Sequence, residues 1–289
     1  MRTALMIIIA AVAAAGAILL IWGLIEACCL KVTRDRLVLG KSSDSSSSDS
    51  PDLRILYFSD LHKEFCFIPA KKIARIISQE NASGGIDAVI FGGDIVSHGK
   101  HALKALDYFV KIAAVCRELH IPFMAVTGNH DAMADPEDLG IFPFDNMDGC
   151  IKYLRSRRDG SYIAFAGVKD TGRHDRVWYA PPTPSAGLEY KSYILLSHNP
   201  DLVLHMSSVP FKVDAMLSGH IHGGQIRTPF GLEFKLRHDE LPYQGIISGL
   251  HEVNGIKLFI SKGVGCVFLP LRIGARPEVN LLEIITNVH

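Results

Sequence analysis

The sequence predicts an α/β fold preceded by one apolar helix at the N-terminus. Short apolar runs of strand length alternate with segments of helical periodicity, an order typical of a parallel sheet with crossover helices. The N-terminal residues 4–25 carry no charged side chain. We therefore divide the chain into an N-terminal membrane anchor (1–31), a short strand with a Ser-rich linker (32–51) and one domain (52–289), whose length suits a single folded unit.

The first part of the domain alternates three predicted strands with two predicted helices. The strands are Leu53–Phe58, Ala88–Phe91 and Phe123–Val126, and helical periodicity covers Ala70–Gln79 and Ala102–Leu119. This β-α-β-α-β order indicates a parallel sheet. Further strands are predicted at Tyr162–Ala166, Ser192–Leu196, Val213–Leu217, Lys257–Ile260 and Asn280–Ile285. So many strands favour two packed sheets flanked by helices.

The apolar N-terminal segment is long enough to cross a bilayer. A helix over Ala4–Ile25 is roughly 33 Å long, and the hydrocarbon core of a membrane is about 30 Å thick. We expect an uncleaved single-pass membrane anchor, with a cleaved signal peptide as the alternative. Only Arg2 precedes the segment, and four basic residues follow it: Lys31, Arg34, Arg36 and Lys41. The positive-inside rule therefore predicts a cytoplasmic location for the larger C-terminal part.

The segment between anchor and domain has two parts. Val32–Leu39 alternates loosely, as a short strand would. The Ser-rich run at 42–50 has low complexity and cannot bury a core, which is typical of a flexible linker or surface loop.

Charge and cysteine usage argue against several classes of function. The chain has 30 basic and 30 acidic residues and a formal net charge of zero, with no basic stripe, so nucleic-acid binding is not expected. Its six cysteines include no Cys-x-x-Cys pair, which argues against a zinc ribbon or a thioredoxin-like motif. Unpatterned cysteines favour a reducing compartment.

Five short polar blocks each follow an apolar run. They are Ser59-Asp60-Leu61-His62, Gly92-Gly93-Asp94, Gly128-Asn129-His130-Asp131, Ser197-His198 and Gly219-His220-Ile221-His222. Sites in α/β sheets gather at the carboxyl ends of strands, so we expect the blocks to meet at one place. The ligands proposed from them are two carboxylates (Asp60 and Asp94), one amide (Asn129) and several imidazoles, which is a ligand set for a two-metal hydrolytic site.

Spacing within the blocks supports shared metal binding. Side chains at i and i+2 of an extended chain point the same way, so Asp60 and His62 can reach one metal. The same argument applies to His220 and His222. Asp94 follows two glycines, which permit a tight turn and close approach, and the two oxygens of its carboxylate can bridge two cations.

The remaining proposed ligands add no charge. Asn129 offers a carbonyl oxygen and His198 an imidazole. Two divalent cations, two carboxylates and one bridging hydroxide would leave the site with one net positive charge, which should attract a phosphate ester. Paired metals can generate the hydroxide and stabilise charge in an in-line displacement.

Two residues of the third block are predicted to act in catalysis. His130 adjoins a proposed ligand and is positioned to protonate a leaving oxygen or to stabilise the phosphoryl group of the transition state. Asp131 is predicted to orient the His130 ring. Structural alternatives are that Asp60 and Asp94 cap helices and that Gly128-Asn129 is only a turn.

These residues resemble the calcineurin-like metallophosphoesterase superfamily. The match covers, in order, D-x-H, G-D, G-N-H-D, H and G-H-x-H between Asp60 and His222. The resemblance implies a four-layer αββα sandwich and makes His130 the catalytic histidine. It implies that one metal is held by Asp60, His62, Asp94 and His222, and the other by Asp94, Asn129, His198 and His220. Manganese is the expected metal, with iron, zinc and cobalt as alternatives.

A narrower resemblance is to the membrane-anchored YaeI/YkuE-type phosphodiesterase branch. The residues that carry it are SHNPD at 197–201, SGHIHGGQ at 218–225, SKGVG at 261–265 and RPE at 276–278. It implies a phosphodiesterase or pyrophosphatase with a phosphoester substrate. Some relatives hydrolyse the pyrophosphate of UDP-diacylglucosamine, so a lipid-linked or nucleotide-containing substrate is expected. Lys63-Glu64 departs from the superfamily pattern, where a short residue leads to glycine, and this bears on local substrate contacts.

Other functions compete with this expectation. A protein serine/threonine phosphatase typically has Asp-Arg-Gly after its Gly-Asp block, and the sequence after Asp94 lacks it. A non-catalytic metal-binding scaffold on the same fold is disfavoured by the intact His130 and the complete ligand set. A phosphomonoesterase stays open as an alternative.

Three further segments have two interpretations each. The apolar stretches Leu139–Phe144 and Val264–Leu271 could receive an acyl chain or touch the membrane, or they pack beneath loops. Arg155, Arg157 and Arg158 could meet a phosphate-bearing substrate, or they lie on a solvated helix face.

Overall fold

The computed structural model describes residues 2–40, 50–170, 178–235 and 238–287, so most of the predicted Ser-rich linker lies outside the described part. The strands are β1 (Lys31–Leu39), β2 (Leu53–Phe58), β3 (Ala88–Phe91), β4 (Phe123–Ala125), β5 (Asp145–Asn146), β6 (Ile151–Arg155), β7 (Tyr162–Val168), β8 (Ser192–Ser197), β9 (Ala215–Ser218), β10 (Gly249–Val253), β11 (Ile256–Ile260) and β12 (Glu278–Thr286). The α-helices are α1 (Arg2–Cys28), α2 (Ala70–Gly84), α3 (Leu106–Glu118), α4 (Pro136–Gly140) and α5 (Leu232–Lys235).

The strands form two mixed sheets. The first has the order β1-β12-β2-β3-β4-β5 and the second β10-β11-β9-β8-β7-β6. In the first sheet β2, β3, β4 and β5 run parallel, while β12 is antiparallel to β2. In the second, β7, β8, β9 and β11 run parallel, with β6 and β10 antiparallel at the edges. The predicted α/β fold with two sheets is confirmed.

Three apolar cores hold the layers together. The core between the sheets joins side chains of both, including Ile55, Ile90 and Leu282 from the first and Phe165 and Leu217 from the second. The helices α2 and α3 cover the outer face of the first sheet. A 3-10 helix, Pro200–Ser208, contributes to the core on the outer face of the second sheet.

Strand β1 is an integral edge strand. It pairs in parallel register with β12 along its whole length, from Lys31 opposite Glu278 to Leu39 opposite Thr286. Leu37 and Leu39 are buried in the core between the sheets. The strand predicted at Val32–Leu39 is therefore present, and it contributes to the sheet although its residues fall within the predicted connecting segment. The division of the chain at residue 52 stays a prediction.

Truncation of Leu37 tests whether β1 helps to hold the fold together. We expect Leu37→Ala to lower the free energy of unfolding by about 2–5 kcal/mol, the usual cost of emptying a buried leucine site. Urea unfolding of the detergent-solubilised protein measures it. Lys31→Ala, an exposed position of the same strand, is the control and should change stability by less than about 0.5 kcal/mol. An unchanged urea midpoint for Leu37→Ala would show that β1 is dispensable.

Helix α1 extends the predicted apolar segment at both ends. It is long and apolar enough to cross a membrane, as judged by length and composition. Most of its side chains are exposed, but Gly23, Glu26 and Ala27 in its last turns are buried against the domain. β1 is antiparallel to β2, because it is parallel to β12. α1 therefore meets the domain at the edge where β2 ends.

Candidate metal centre

The predicted site residues meet where five strands end. Each follows its strand directly or within a few residues: Asp60 and His62 after β2, Asp94 after β3, Asn129 after β4, His198 after β8, and His220 and His222 after β9. The two sheets therefore contribute to one site at a common edge. This arrangement agrees with the rule that parallel sheets place their sites at the carboxyl ends of strands.

The backbone at these strand ends is tightly turned. Positive φ angles occur at Asp60 (53°), His62 (36°), Asp94 (61°), His220 (69°) and His222 (55°). The expectation of extended chain within the Asp60/His62 and His220/His222 pairs was therefore wrong. Left-handed backbone at non-glycine residues is costly and tends to cluster at functional sites. The first pair still converges on one cluster, whereas the second pair divides between two.

Within the described part of the chain, the ligand-type side chains form two clusters that could each hold a metal ion. One consists of Asp60, His62 and His222, and the other of Asp94, His198 and His220. In the first, His222 Nε2 lies 3.2 Å from His62 Nε2 and 3.3 Å from Asp60 Oδ1. In each cluster the candidate ligand atoms lie within 4.8 Å of one another.

A single oxygen of Asp94 faces both clusters. Asp94 Oδ2 lies 3.1 Å from His198 Nε2 in its own cluster and 3.4 Å from His62 Nε2 in the other. Its second oxygen, Oδ1, accepts a hydrogen bond from the backbone N–H of His130 at 3.0 Å. One oxygen of Asp94 is thus placed to face a cation in each cluster, whereas the sequence predicted that both oxygens would take part.

The donor set fits divalent cations. Asn129 Oδ1 and His198 Nε2 are buried and have no hydrogen-bond partner among the described residues. The His198 ring donates through Nδ1 to the Gly92 carbonyl at 2.7 Å, which leaves Nε2 directed at Asp94. Buried acceptors that face one another need a cation or a proton between them, and imidazole with carboxylate and amide oxygen suits transition metals.

The charges of the centre reinforce this fit. Burial opposes ionisation, yet His198 and His62 hold the pKa of Asp94 well below its ordinary value. Burial likewise opposes protonation of His198. The negative charge of Asp94, and to a smaller extent that of Asp60, outweighs burial and raises the pKa of His198 to about 10. A cation must displace that proton to reach His198, so metal binding and deprotonation of the site are linked.

His130 stands beside the clusters and belongs to neither. Its Nδ1 lies 2.6 Å from the carbonyl oxygen of Ser97, so Nδ1 carries the hydrogen and Nε2 remains available for chemistry. The ring lies edge-on to His62, with centroids 5.1 Å apart. Burial lowers the pKa of His130, while Asp94 acts in the opposite direction.

Asp131 does not have the predicted contact with His130. Its carboxylate is fully buried and accepts hydrogen bonds from the backbone N–H groups of Asp94 (2.8 Å), Ile95 (2.9 Å) and Gly128 (3.0 Å). The prediction that Asp131 orients the His130 ring was wrong, because the Ser97 carbonyl occupies Nδ1. Burial and the neighbouring Asp94 raise the pKa of Asp131 to about 7. Asp131 instead ties the Asp94 and Asn129 loops together.

Two glycines allow these loops to touch. A Cβ on Gly128 would lie 2.1 Å from Asp94 Oδ1 and 2.6 Å from Asp94 N. Gly93 has φ 94°, and a Cβ there would lie 2.7 Å from Gly128 N. Side chains at either position would separate the Asp94 carboxylate from the His130 loop.

Sequence patterns missed Asp239 and Arg272. Asp239 Oδ1 lies 3.1 Å from His220 Nε2, and the adjacent backbone is held by the Asp201 carboxylate, which accepts from Glu240 N and Leu241 N. Arg272 is fully buried and donates to the carbonyl oxygens of Gly265 (3.0 Å), Lys262 (2.8 Å) and Ala275 (2.8 Å). Both lie beyond the last polar block, and nothing local in the sequence marks them.

Asp239 is expected to support metal binding through His220. A carboxylate that holds a ligand imidazole fixes its tautomer and orientation. Asp239→Asn should weaken binding of one of two Mn²⁺ ions about 10–100-fold, measured by calorimetric titration. Asp107→Asn, an exposed aspartate on α3, serves as the comparison. Two unchanged binding steps in Asp239→Asn would exclude this supporting role.

The two apolar stretches differ in how they pack. Phe142 and Phe144 stack on each other with ring centroids 5.4 Å apart, and both pack against Phe109. This aromatic cluster belongs to the core, so the packed alternative holds for Phe142 and Phe144, whereas Ile141 in the same stretch is exposed. In Val264–Leu271 the first part is buried, whereas Phe268 and Leu269 are exposed.

The arginine cluster lies far from the site and not on a helix. Arg155 ends β6 opposite Tyr162, the first residue of β7, at the edge away from the site. Its guanidinium contacts the Tyr162 ring. Arg157 pairs with Asp87 and Arg158 with Asp52. The interpretation as a helix face was wrong, because Arg155 ends a strand and the other two arginines follow it. The phosphate contact stays a prediction, and the position of the cluster at the edge away from the site argues against it.

Comparison with known proteins agrees with this site. The family model described as calcineurin-like phosphoesterase matches residues 53–224. The chain is 27% identical to the uncharacterized metallophosphoesterase YkoQ of Bacillus subtilis (strain 168), over 80% of this chain and 83% of YkoQ. It is 28% identical to the uncharacterized metallophosphoesterase YkuE of the same organism (80% and 78% covered) and 28% identical to the phosphodiesterase YaeI of Escherichia coli (strain K12; 80% and 82% covered). The predicted resemblance is confirmed, and the chain belongs to the calcineurin-like phosphoesterase family.

Proposed function

We propose that the chain is a membrane-anchored, binuclear-metal-dependent phosphodiesterase or pyrophosphatase. The observation that carries this proposal is the Asp94 carboxylate, whose Oδ2 lies close to an imidazole nitrogen of each cluster. In this proposal one cation is held by Asp60, His62, Asp94 and His222. The other is held by Asp94, Asn129, His198 and His220. Manganese is the proposed metal.

Each part of the centre has a defined task in the proposed reaction. Two cations bound in the clusters would supply an activated water and Lewis-acid stabilisation of the phosphoryl oxygens. The His130 ring is fixed because its Nδ1 donates to the Ser97 carbonyl. Its Nε2 then protonates the leaving oxygen or stabilises the phosphoryl group of the transition state. Asp131 positions the loops that carry Asp94 and Asn129 and does not itself touch the substrate.

Two observations favour a diester as the substrate. The relative YaeI is named a phosphodiesterase, and it covers most of this chain at 28% identity. The exposed Phe268 and Leu269 lie in the loop beside His130, where an apolar part of a substrate would find contact area. A lipid-linked pyrophosphate such as UDP-diacylglucosamine combines a phosphoanhydride with acyl chains and is the proposed substrate class.

The anchor gives the proposal a location. α1 is long and apolar enough to cross a membrane, and the basic residues that follow it favour a cytoplasmic domain. Protease treatment of intact cells tests this orientation: the domain should be protected until the membrane is opened. Digestion from outside would place the domain on the other face.

A hydrolysis assay tests the activity. The full chain in detergent should hydrolyse bis(p-nitrophenyl) phosphate with Mn²⁺, lose this activity in EDTA and regain it when Mn²⁺ is restored. Lipid-linked pyrophosphates then define the substrate. Protein that holds two metals per chain but cleaves none of these esters would be a scaffold, and a preference for p-nitrophenyl phosphate would make it a phosphomonoesterase.

A further inference from the structure

Two large apolar side chains are exposed beside the proposed catalytic histidine. Phe268 is 78% exposed and Leu269 is 52% exposed. The Phe268 ring lies edge-on to His130, with centroids 6.3 Å apart. We call Val267–Leu269 the apolar tip. An exposed apolar pair at the rim of a polar centre calls for a partner that covers it.

The tip is held rigidly in this exposed position. The Gln225 side chain donates through Nε2 to the carbonyl oxygens of Val267 (2.9 Å) and Leu269 (3.1 Å). Its Oε1 accepts from Val267 N at 2.7 Å. Phe268 itself has a positive φ of 59°, a costly conformation for a bulky residue. The side-chain clamp of Gln225 therefore keeps the tip projecting from the surface.

The same loop is fastened to the end of α1. Arg272 N donates to the Gly23 carbonyl at 3.1 Å. A Cβ on Gly23 would lie 3.3 Å from Leu271 Cδ2 and 3.4 Å from Ile273 Cγ1, so both side chains lie against the helix there. A second bond joins Arg276 Nε to the Cys29 carbonyl at 3.0 Å. The tip therefore lies only a few residues along the chain from the part of its loop that contacts α1.

The length of α1 sets the depth of this contact in a bilayer. Residues 3–25 are uncharged and span about 34 Å as a helix, against about 30 Å of hydrocarbon. Trp22 is 57% exposed and donates through Nε1 to Glu26 Oε2 at 3.0 Å. An indole in that setting is typical of the membrane–water interface. If α1 spans a bilayer, this geometry would place Gly23 and the loop fastened to it at headgroup level.

We propose that the apolar tip docks into the boundary between headgroups and acyl chains of the bilayer that holds α1. Phe268 lies three residues from Leu271, which contacts the helix, and three residues reach at most about 10 Å. Docking at this depth places the rim of the metal centre against the membrane surface. The inference rests on the proposed membrane anchor and adds the docking surface and its partner, a lipid surface.

Tryptophan probes test the docking. The full chain with Trp22→Phe and Trp178→Phe, which removes both native tryptophans, is reconstituted in phosphatidylcholine–phosphatidylglycerol vesicles with and without dibrominated phosphatidylcholine. Bromolipid should quench the emission of Phe268→Trp about twofold or more, as expected for a ring buried at the interface. Leu269→Trp is a second probe in case the first variant does not fold. Arg155→Trp, at the opposite edge of the domain, should not be quenched.

The outcomes separate this inference from the proposals beneath it. Vesicle flotation at alkaline pH reports insertion of α1, and hydrolysis of bis(p-nitrophenyl) phosphate reports the metal centre. Both tip probes unquenched in inserted protein would overturn the docking proposal. Blue-shifted but unquenched emission would overturn it equally, since the tip would then be covered by protein. Protein that fails to float with the vesicles would contradict the membrane anchor and the docking that rests on it. Loss of hydrolysis alone would contradict only the proposed enzyme activity.

Discussion

Replacing Asp94 by asparagine is expected to remove metal from both clusters and to lower kcat/KM for a phosphodiester by about 1,000-fold. Asp94 Oδ2 is the carboxylate oxygen close to an imidazole of each cluster, so an amide there loses the charge shared between two cations. Metal-derived stabilisation of a phosphoryl transition state is worth several kcal/mol. Since about 1.4 kcal/mol corresponds to a factor of ten in rate, a loss of three orders of magnitude follows.

Asp87→Asn is the matched control for this substitution. Asp87 directly precedes β3, whereas Asp94 follows it, so the two carboxylates lie at opposite ends of one strand. Asp87 accepts from Arg54 N at 2.7 Å and pairs with Arg157, contacts that serve the fold alone. The control should keep its metal content and its kcat/KM. Two metals per chain in Asp94→Asn, measured by mass spectrometry of metal content, would contradict the bridging role.

The position of the centre was predictable because buried parallel strands leave a clear trace in sequence. All four residues of β3 are buried, and β2 is nearly as apolar, so each reads as a short continuous run that ends at a polar block. The order of the blocks then locates the site at one sheet edge. The fold class and the grouping of ligand-type residues could therefore be inferred before any coordinates were known.

The details that escaped prediction depend on backbone conformation and distant contacts. The left-handed backbone of Asp60 and His222 is only weakly indicated by residue type, because Asp and His are enriched in that region but mostly adopt other conformations. Asp131 was assigned to His130 because the two are adjacent, but three buried N–H groups satisfy its carboxylate instead. Asp239 reaches His220 across 19 positions of chain. Each of these facts belongs to the folded arrangement and leaves no periodic pattern.

The edge strand β10 was not predicted from the sequence, for a different reason. β10 is half exposed and pairs antiparallel with β11, so it lacks a continuous apolar run. Its signal was the Asn254-Gly255 turn that joins the two strands, where both residues have positive φ. Asn-Gly between two strand-like runs is a strong indicator of a hairpin. Turn chemistry therefore holds information on this strand that hydrophobic patterning does not.

Replacing His130 by asparagine is expected to leave both metals bound and to lower kcat by about 100- to 10,000-fold, the usual range for loss of a proton-transferring group. His130 lies outside both ligand clusters, and its backbone N–H, which asparagine keeps, holds Asp94 Oδ1. Metal content and the KM of the diester should therefore change little. His101→Asn, a histidine outside the centre, is the control. A variant that loses metal would make His130 a ligand, contrary to its contact with Ser97.

The leaving group of the diester distinguishes the two roles open to His130. A general acid matters most when the departing alkoxide is a poor leaving group, because a good one needs no proton. If His130 protonates the leaving oxygen, His130→Asn should harm cleavage of an alkyl phosphodiester far more than cleavage of bis(p-nitrophenyl) phosphate. If His130 instead stabilises charge on the phosphoryl oxygens, both substrates should lose rate by a similar factor. The Ser97 carbonyl fixes Nδ1 and leaves only Nε2 to act, so one of these two patterns must appear for the catalytic assignment to stand.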